Sequence, residues 1–253
     1  MKESLKENGY IIIKGFFSKE RIREIVQEAK KVFEIQFEKR NFNGSFKENM
    51  IKLFNEDHVV FQNCGKMIQQ GLLGLYSLTT DQKLLETLKE LGLEFPLMCT
   101  RPVLFFNHPS LAKEEFYYKT PLHQDWPSME ASSDSVVVWV PLIDVNHENG
   151  SVIIYPKTHV LGDISNNVVG GFATIEGYDL SNYQEAQPEL EEGDIVIFSS
   201  FLVHKSGEIK NDEIRWSCHL RYTNMFDEDF IERGFPHPYI YKPTTKSKNL
   251  SAS

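Results

Sequence analysis

The 253-residue chain has three cysteines, Cys64, Cys99 and Cys218, and they are too far apart to make a Cys-x-x-Cys pair. This leaves neither a disulfide framework nor a thiolate zinc site, and reduced, buried thiols are the expectation. No apolar run approaches the roughly 18 to 20 residues of a membrane span, and the opening MKESLKENGY lacks the apolar segment of a secretory signal. A soluble, cytoplasmic protein with no membrane partner is therefore expected. Dense Lys/Arg clusters are missing too, and the formal charge is −9. Phosphate neutralisation dominates nucleic-acid affinity, so no nucleic-acid partner is expected. There is no internal repeat, and the one biased stretch is the terminal KPTTKSKNLSAS, which reads as a disordered tail.

What is present suits one sizeable core: 41% of residues are apolar and aromatic residues are spread along the chain. A single domain over 1–253 is expected, with a mainly helical part at 1–96, a strand-rich core at 97–225, and an extension and tail at 226–253. GYIIIKGFF (9–17) reads as a strand. After it, Ile22, Ile25, Val26, Ala29, Val32 and Phe33 recur at helical spacing over Glu20–Phe37, with Ser18 as N-cap. Residues 38–50 read as a polar loop, a second helical region covers 56–76, and Thr80 caps a third helix ending at Gly92. From residue 97 the runs PLMCTRPVLFFNH, SVVVWVPLIDV, GSVIIYPKTH, DIVIFSSFLVH and IRWSCHLRYTN are short, β-branched or aromatic, and separated by turn residues. Helices followed by strands imply an α+β domain with its helices on one side of a β core. The interval 162–190, containing Gly170, Gly171 and Gly177, reads as a long binding loop or lid.

The stretch TPLHQDWP (120–127) carries the chemistry. On an extended chain residues i and i+2 share a face, so His123 and Asp125 project together and Gln124 points away. An imidazole and a carboxylate side by side are two-thirds of a 2-His-1-carboxylate site, which leaves positions open on a ferrous ion. His204, closing the buried run DIVIFSSFLVH, is the candidate third ligand. Arg215 lies eleven residues later, and a hairpin turn around Lys210 to Glu213 would return it beside His204. There it can hold a carboxylate bidentately, with the Ser206 hydroxyl adding a hydrogen bond.

Taken together, HQDW, VVVWVPL, ENGSVIIYPKTH, GDIVIFSSFLVHKSG and Arg215 resemble the phytanoyl-CoA dioxygenase family of Fe(II)- and 2-oxoglutarate-dependent oxygenases, as does the opening GYIIIKGFFSKERI. The resemblance implies a double-stranded β-helix (jelly-roll, cupin-like) core with N-terminal helices packed on one sheet. It implies Fe(II) on His123, Asp125 and His204, with 2-oxoglutarate as co-substrate alongside O2. Arg215 would clamp the far carboxylate, with Ser206 beside it and Trp139 lining the pocket. Related halogenases lack the carboxylate ligand, so Asp125 favours hydroxylation. Some members touch 2-oxoglutarate with a Lys from the helical region; Lys66 or Asn63 stands near that position. The family's Pro-Gly-Ser-His turn appears as Pro156-Lys157-Thr158-His159, and His159 is read as a turn residue.

His219 alternates in phase with Arg215, Ser217 and Arg221, so all four face one way. It is read as a core histidine, with a place in the substrate pocket as the alternative for His219 and Arg221. Trp126 either packs against the ligand loop or walls the substrate, and Gln124 is a further pocket candidate. His58, His108, His147 and His237 are assigned no chemistry. Two other functions use fewer of these residues. One is a zinc hydrolase, since two His and an Asp also hold Zn(II) with an open site. The other is a non-catalytic jelly-roll module binding a small molecule such as a sugar. Zinc has no use for a keto-acid clamp, which separates the first from an oxygenase. The expected substrate is a sugar, amino acid or secondary metabolite; the acidic balance disfavours a polyanionic acyl-CoA.

Overall fold

A computed structural model describes residues 1–236; the expected tail and His237 lie outside them. Six helices dominate the first part: α1 (Lys2–Asn8), α2 (Lys19–Lys39), α3 (Phe46–Glu56), α4 (His58–Gly71), α5 (Leu73–Thr79) and α6 (Gln82–Leu91). Ten strands follow the order β1 (Tyr10–Ile13), β2 (Pro96–Met98), β3 (Val103–Asn107), β4 (Val136–Pro141), β5 (Val152–Ile154), β6 (Asn167–Val169), β7 (Phe172–Thr174), β8 (Ile195–Ser199), β9 (His204–Ser206) and β10 (Arg215–Asn224). Short helices α7 (Trp126–Met129) and α8 (Glu228–Glu232), with 3-10 turns at Pro109–Leu111, Glu115–Tyr117 and Thr158–Leu161, complete the described elements. None of the helices among the described residues is long and apolar enough to cross a membrane.

α2 forms where the spacing places it because Ile22, Ile25, Val26, Ala29, Phe33 and Phe37 make one buried stripe, and the Ser18 hydroxyl accepts the Arg21 N–H. The helical region after it is divided differently from expectation. Helix α3 starts inside the supposed polar loop, because Ser45 and Glu48 form a reciprocal capping box. Asp57 then caps α4 through the Val60 N–H, and Asp81, not Thr80, caps α6 through the Leu84 N–H.

The larger sheet is antiparallel, in the order β1-β8-β4-β10-β2, with β3 also pairing the first half of β10. Both its faces are covered, which is why β4 reads VVVWVP and is buried throughout. Val136, Val138, Val140, Ile195, Ile197, Trp216 and Leu220 join the helical layer in one core. Val137, Trp139, Val196 and Phe198 face the other way, into a second core. The opposing, smaller sheet consists of β5-β9 and β6-β7, and His123 joins the two pairs by bridging His204 on one side and Thr174 on the other. Two facing antiparallel sheets with helices on one outer face make the expected double-stranded β-helix. The 162–190 interval contains the β6-β7 hairpin.

One buried acid ties the edge strand to the barrel. Asp194 is 3% exposed and accepts the Gly15 N–H (2.8 Å), the Glu191 N–H (2.7 Å) and the Lys14 ammonium (2.6 Å). The preceding Gly193 has φ 91°, and a Cβ there would sit 2.2 Å from the Phe17 carbonyl oxygen, so only glycine fits. Asp194→Ala leaves two amides unpaired and is expected to cost about 3 kcal/mol. At this chain length that lowers the melting temperature by roughly 6–12 °C, measurable by calorimetry.

Candidate active site

His123, Asp125 and His204 come together between the sheets, all buried, with one ligand atom of each within 4.8 Å of the others. His123 is held extended by two backbone hydrogen bonds with His204, N–H to carbonyl in each direction at 3.0 and 3.1 Å. The Asp125 backbone is not extended as the His-x-Asp reading requires. It has φ −82° and ψ −27° and leads into α7, and its N–H and that of Trp126 both donate to the Ser200 carbonyl at 3.0 Å. The convergence survives because that shared carbonyl turns the chain toward His204.

The geometry also fixes which imidazole nitrogen is available. His123 Nδ1 lies 2.8 Å from the Pro121 carbonyl and His204 Nδ1 lies 2.9 Å from the Leu202 carbonyl. A carbonyl can only accept, so both Nδ1 atoms carry a proton, and the neutral rings that metal binding uses present their Nε2 lone pairs to the cluster. His204 Nε2 and Asp125 Oδ2 are 3.4 Å apart, and neither has a hydrogen-bond partner among the described residues. Two buried, partnerless acceptors aimed at one point are costly unless something positive sits between them, and a divalent ion fits that donor set.

Asp125 Oδ1 is instead occupied by Arg221, whose Nη2 donates at 2.9 Å and Nε at 3.3 Å. Burial opposes ionisation of Asp125, but the Arg221 guanidinium beside it acts the other way, and the carboxyl is held well below the usual carboxylate range. Burial, with His204 beside it, pushes His123 down to about 3, so its ring is neutral at physiological pH. The unfolded chain therefore takes up a proton near pH 6.5 that folded His123 refuses until about pH 3. In metal-free protein, stability present above pH 6.5 is lost as pH falls through that window, about 2 kcal/mol by pH 5 from His123 alone. His219, also held well below its ordinary value chiefly by burial, acts in the same direction. Melting temperatures at pH 7 and pH 5 check this; an unchanged value contradicts it.

On one side of the cluster lies an inner cavity lined by Phe105, Asn107, Trp139, Ser206, Arg215 and His219, among others. Arg215 is 4% exposed; its Nη1 donates to the Gly150 carbonyl and its Nη2 to the Ser206 hydroxyl at 3.4 Å, while its Nε has no partner among the described residues. Gly150 makes room for it: a Cβ there would lie 3.0 Å from Nη1. Burial pulls the guanidinium down to about 10, and no carboxylate among the described residues lines this cavity. A buried cation without an anion suits an acidic guest. The cavity encloses about 20 Å³, the room of about one water, so seating a five-carbon diacid requires lining side chains to turn.

Arg215 and His204 do not meet as hairpin neighbours, contrary to the sequence reading. β9 pairs with β5 and β10 with β3 and β4, so Arg215 faces Ser206 across the gap between the two sheets. His219 shares the inner cavity with Arg215 and Trp139, and its buried Nδ1 has no partner among the described residues, so it is not a satisfied core histidine. Gln124 is 1% exposed, and its amide is used up in holding the following loop. Its nitrogen donates to Gly162 and Phe201 carbonyls at 2.8 and 2.6 Å, and its oxygen accepts the Ile164 N–H at 2.9 Å. Trp126 stacks on Phe201 with centroids 5.0 Å apart and donates to the Ala131 carbonyl, backing the ligand turn. Lys66 lines a separate groove with His58 and Phe61 on the helical side, away from Arg215. His159 sits in the turn expected, its Nε2 3.0 Å from the Lys6 carbonyl.

Asn107 and Phe105 were missed. They lie on β3 in register with Arg215 and Ser217, and the alternation Val103, Phe105, Asn107 was the available signal. On the far side of His123 and Asp125 lies an outer cavity of about 240 Å³, whose lining includes Arg101, Phe105, Ser128, Phe172 and Arg221.

The family model described as phytanoyl-CoA dioxygenase (PhyH) matches residues 5–217. The chain belongs to this family. Among its relatives is a 1-deoxypentalenic acid 11-beta-hydroxylase from Streptomyces exfoliatus, 30% identical over 120 residues, which are 44% of this chain and 42% of that protein. The match thus spans less than half the length of that relative. The phytanoyl-CoA dioxygenase-like fold is shared with the epimerase SnoN solved with Fe3+, alpha ketoglutarate and nogalamycin RO (17% identity, TM-score 0.61, 88% of this chain and 82% of that one). It is shared equally with EctD from S. alaskensis, solved with 2-oxoglutarate and 5-hydroxyectoine (15% identity, TM-score 0.56, 89% and 76%).

Proposed function

We propose that this protein is an Fe(II)- and 2-oxoglutarate-dependent oxygenase that hydroxylates a small molecule, releasing succinate and CO2. The observation that carries the reading is the buried cluster of His123, Asp125 and His204, with Asp125 Oδ2 and His204 Nε2 unpaired among the described residues, beside a buried arginine that has no acidic partner among them. His123, Asp125 and His204 hold the metal through two Nε2 atoms and Oδ2. Arg215 and Ser206 bind the far carboxylate of 2-oxoglutarate, and Trp139, Phe105 and His219 wall that cavity and keep water out. When bound together, metal and keto acid supply the activation of dioxygen that lets one oxygen atom enter a C–H bond. The protein's share is orientation: Nδ1 hydrogen bonds aim the imidazoles, and Arg221 holds Asp125 so that only Oδ2 points inward.

Hydroxylation as the outcome is supported by the intact carboxylate ligand position and by the hydroxylase relative, which acts on 1-deoxypentalenic acid. A zinc hydrolase would have no use for Arg215. The test is succinate release from 2-oxoglutarate by purified protein supplied with Fe(II) and no other substrate. Slow turnover with Fe(II) and none with Zn(II) is expected, and hydrolytic activity confined to the zinc form rejects the proposal.

A further inference from the structure

Of the titratable side chains lining the inner cavity, His219 is the one with no hydrogen bond among the described residues. Arg215 is tied to Gly150 and Ser206, His123 and His204 to the Pro121 and Leu202 carbonyls, and Lys205 donates to the Tyr155 hydroxyl at 2.9 Å. What the His219 imidazole has is ring packing, its centroid 4.8 Å from that of Phe105 and 6.5 Å from that of Trp139. Such packing holds a ring in place without satisfying its N–H. Burial keeps the ring neutral, with one proton to donate and one lone pair. Native proteins rarely leave a buried polar group orphaned, and an orphan in a cavity wall points to a guest that completes it.

Its position says which guest. His219 lines the inner cavity and not the outer one. It pairs with Trp139 on β4 and Val103 on β3, four residues along β10 from Arg215, or roughly 13 Å of strand. Alternation puts both side chains on the same face, so they address the cavity from different ends. The cavity has to enlarge before it takes a five-carbon diacid. His219 can turn without breaking a hydrogen bond, whereas Arg215 and Asn107, which donates to the Tyr118 carbonyl at 2.8 Å, cannot. Building on the oxygenase reading, we infer that His219 is a binding residue for the co-substrate: while Arg215 holds the far carboxylate, a ring N–H of His219 donates to an oxygen at the keto-acid end. The ring stands outside the metal cluster, whose ligand atoms come from His123, Asp125 and His204.

The test is anaerobic titration of 2-oxoglutarate into protein loaded with Fe(II), followed by calorimetry and by the visible absorption of the iron and keto-acid complex. His219→Leu keeps the bulk and removes the N–H, and is expected to raise the Kd about tenfold or more, the loss of one hydrogen bond to a charged acceptor. His219→Asn and His219→Gln place an amide N–H near Nδ1 and Nε2 respectively, and at least one is expected to return the Kd to within about threefold of wild type. Two controls separate binding from structure. Fe(II) affinity without the keto acid is expected to be the same in all four proteins. The metal-free melting temperature of His219→Leu is expected at or above that of wild type, since an orphaned polar group is being removed. An unchanged Kd in His219→Leu, a loss that neither amide repairs, or a drop in iron affinity or melting temperature overturns the inference. If wild type shows neither the band nor keto-acid binding, the oxygenase reading fails and takes the inference with it. If wild type shows both and His219→Leu matches it, the role of His219 alone fails.

Discussion

Arg215→Gln is expected to raise the KM for 2-oxoglutarate at least a hundredfold while leaving the fold intact. Among the described residues Arg215 is the one guanidinium lining the inner cavity, and its partners there are a carbonyl and a hydroxyl, not an acid. Truncating one partner of a buried hydrogen-bonded charge pair costs about 2–5 kcal/mol, and the upper part of that range exceeds a thousandfold in affinity. Gln keeps a donor toward Gly150 and Ser206 but loses the charge and the forked geometry. Lys is not an adequate replacement, since its ammonium cannot reproduce the fork. A second readout separates this role from a structural one. Saturating 2-oxoglutarate at about 100 Kd stabilises the wild type by about 2.7 kcal/mol, or roughly 5–10 °C at this chain length, and gives no shift in Arg215→Gln. An equal shift in both proteins removes Arg215 from the site.

His204→Ala is expected to weaken Fe(II) binding by about a thousandfold or more and to abolish succinate formation. His204 contributes Nε2, whose direction is set by the Leu202 carbonyl at the opposite ring nitrogen, and it lies 3.4 Å from Asp125 Oδ2. With the ring gone, His123 and Asp125 remain as a two-ligand site, too few for a firmly held ion. The fold tolerates the change because the backbone bonds between His123 and His204 do not involve the ring, and because Asp125 keeps Arg221 as its partner. Circular dichroism of the variant should match the wild type, while equilibrium dialysis against Fe(II) finds it empty at micromolar metal. Retained stoichiometric iron in His204→Ala would place the metal elsewhere.

Much of the barrel was legible because strand alternation is a local property. VVVWVP, IVIFS and RWSCHLRYTN each carry their own burial pattern, and Arg215, Ser217, His219 and Arg221 fall in phase without knowledge of any neighbour. Pairing is not local. That β9 joins β5 while β10 turns to β3 and β4 is decided by which strand edges remain open, and the short turn between β9 and β10 suggested a hairpin that does not form. The same limit hid the Arg221–Asp125 pair, whose members are 96 residues apart. The capping box at Ser45 and Glu48 was written in the sequence and was overlooked in favour of loop-like composition. Gln124 shows the converse: its alternation away from His123 was readable, but the three hydrogen bonds that tie it to Gly162, Ile164 and Phe201 depend on loops whose paths no local signal fixes.

The central claim is that one buried pocket holds a ferrous ion and a keto diacid side by side, and anaerobic titration of Fe(II) into protein with 2-oxoglutarate addresses it directly. A broad visible band should grow in, requiring both components and saturating at one iron per chain. Wild-type protein that gives no band and binds no iron would contradict the account, whatever other activity it displayed.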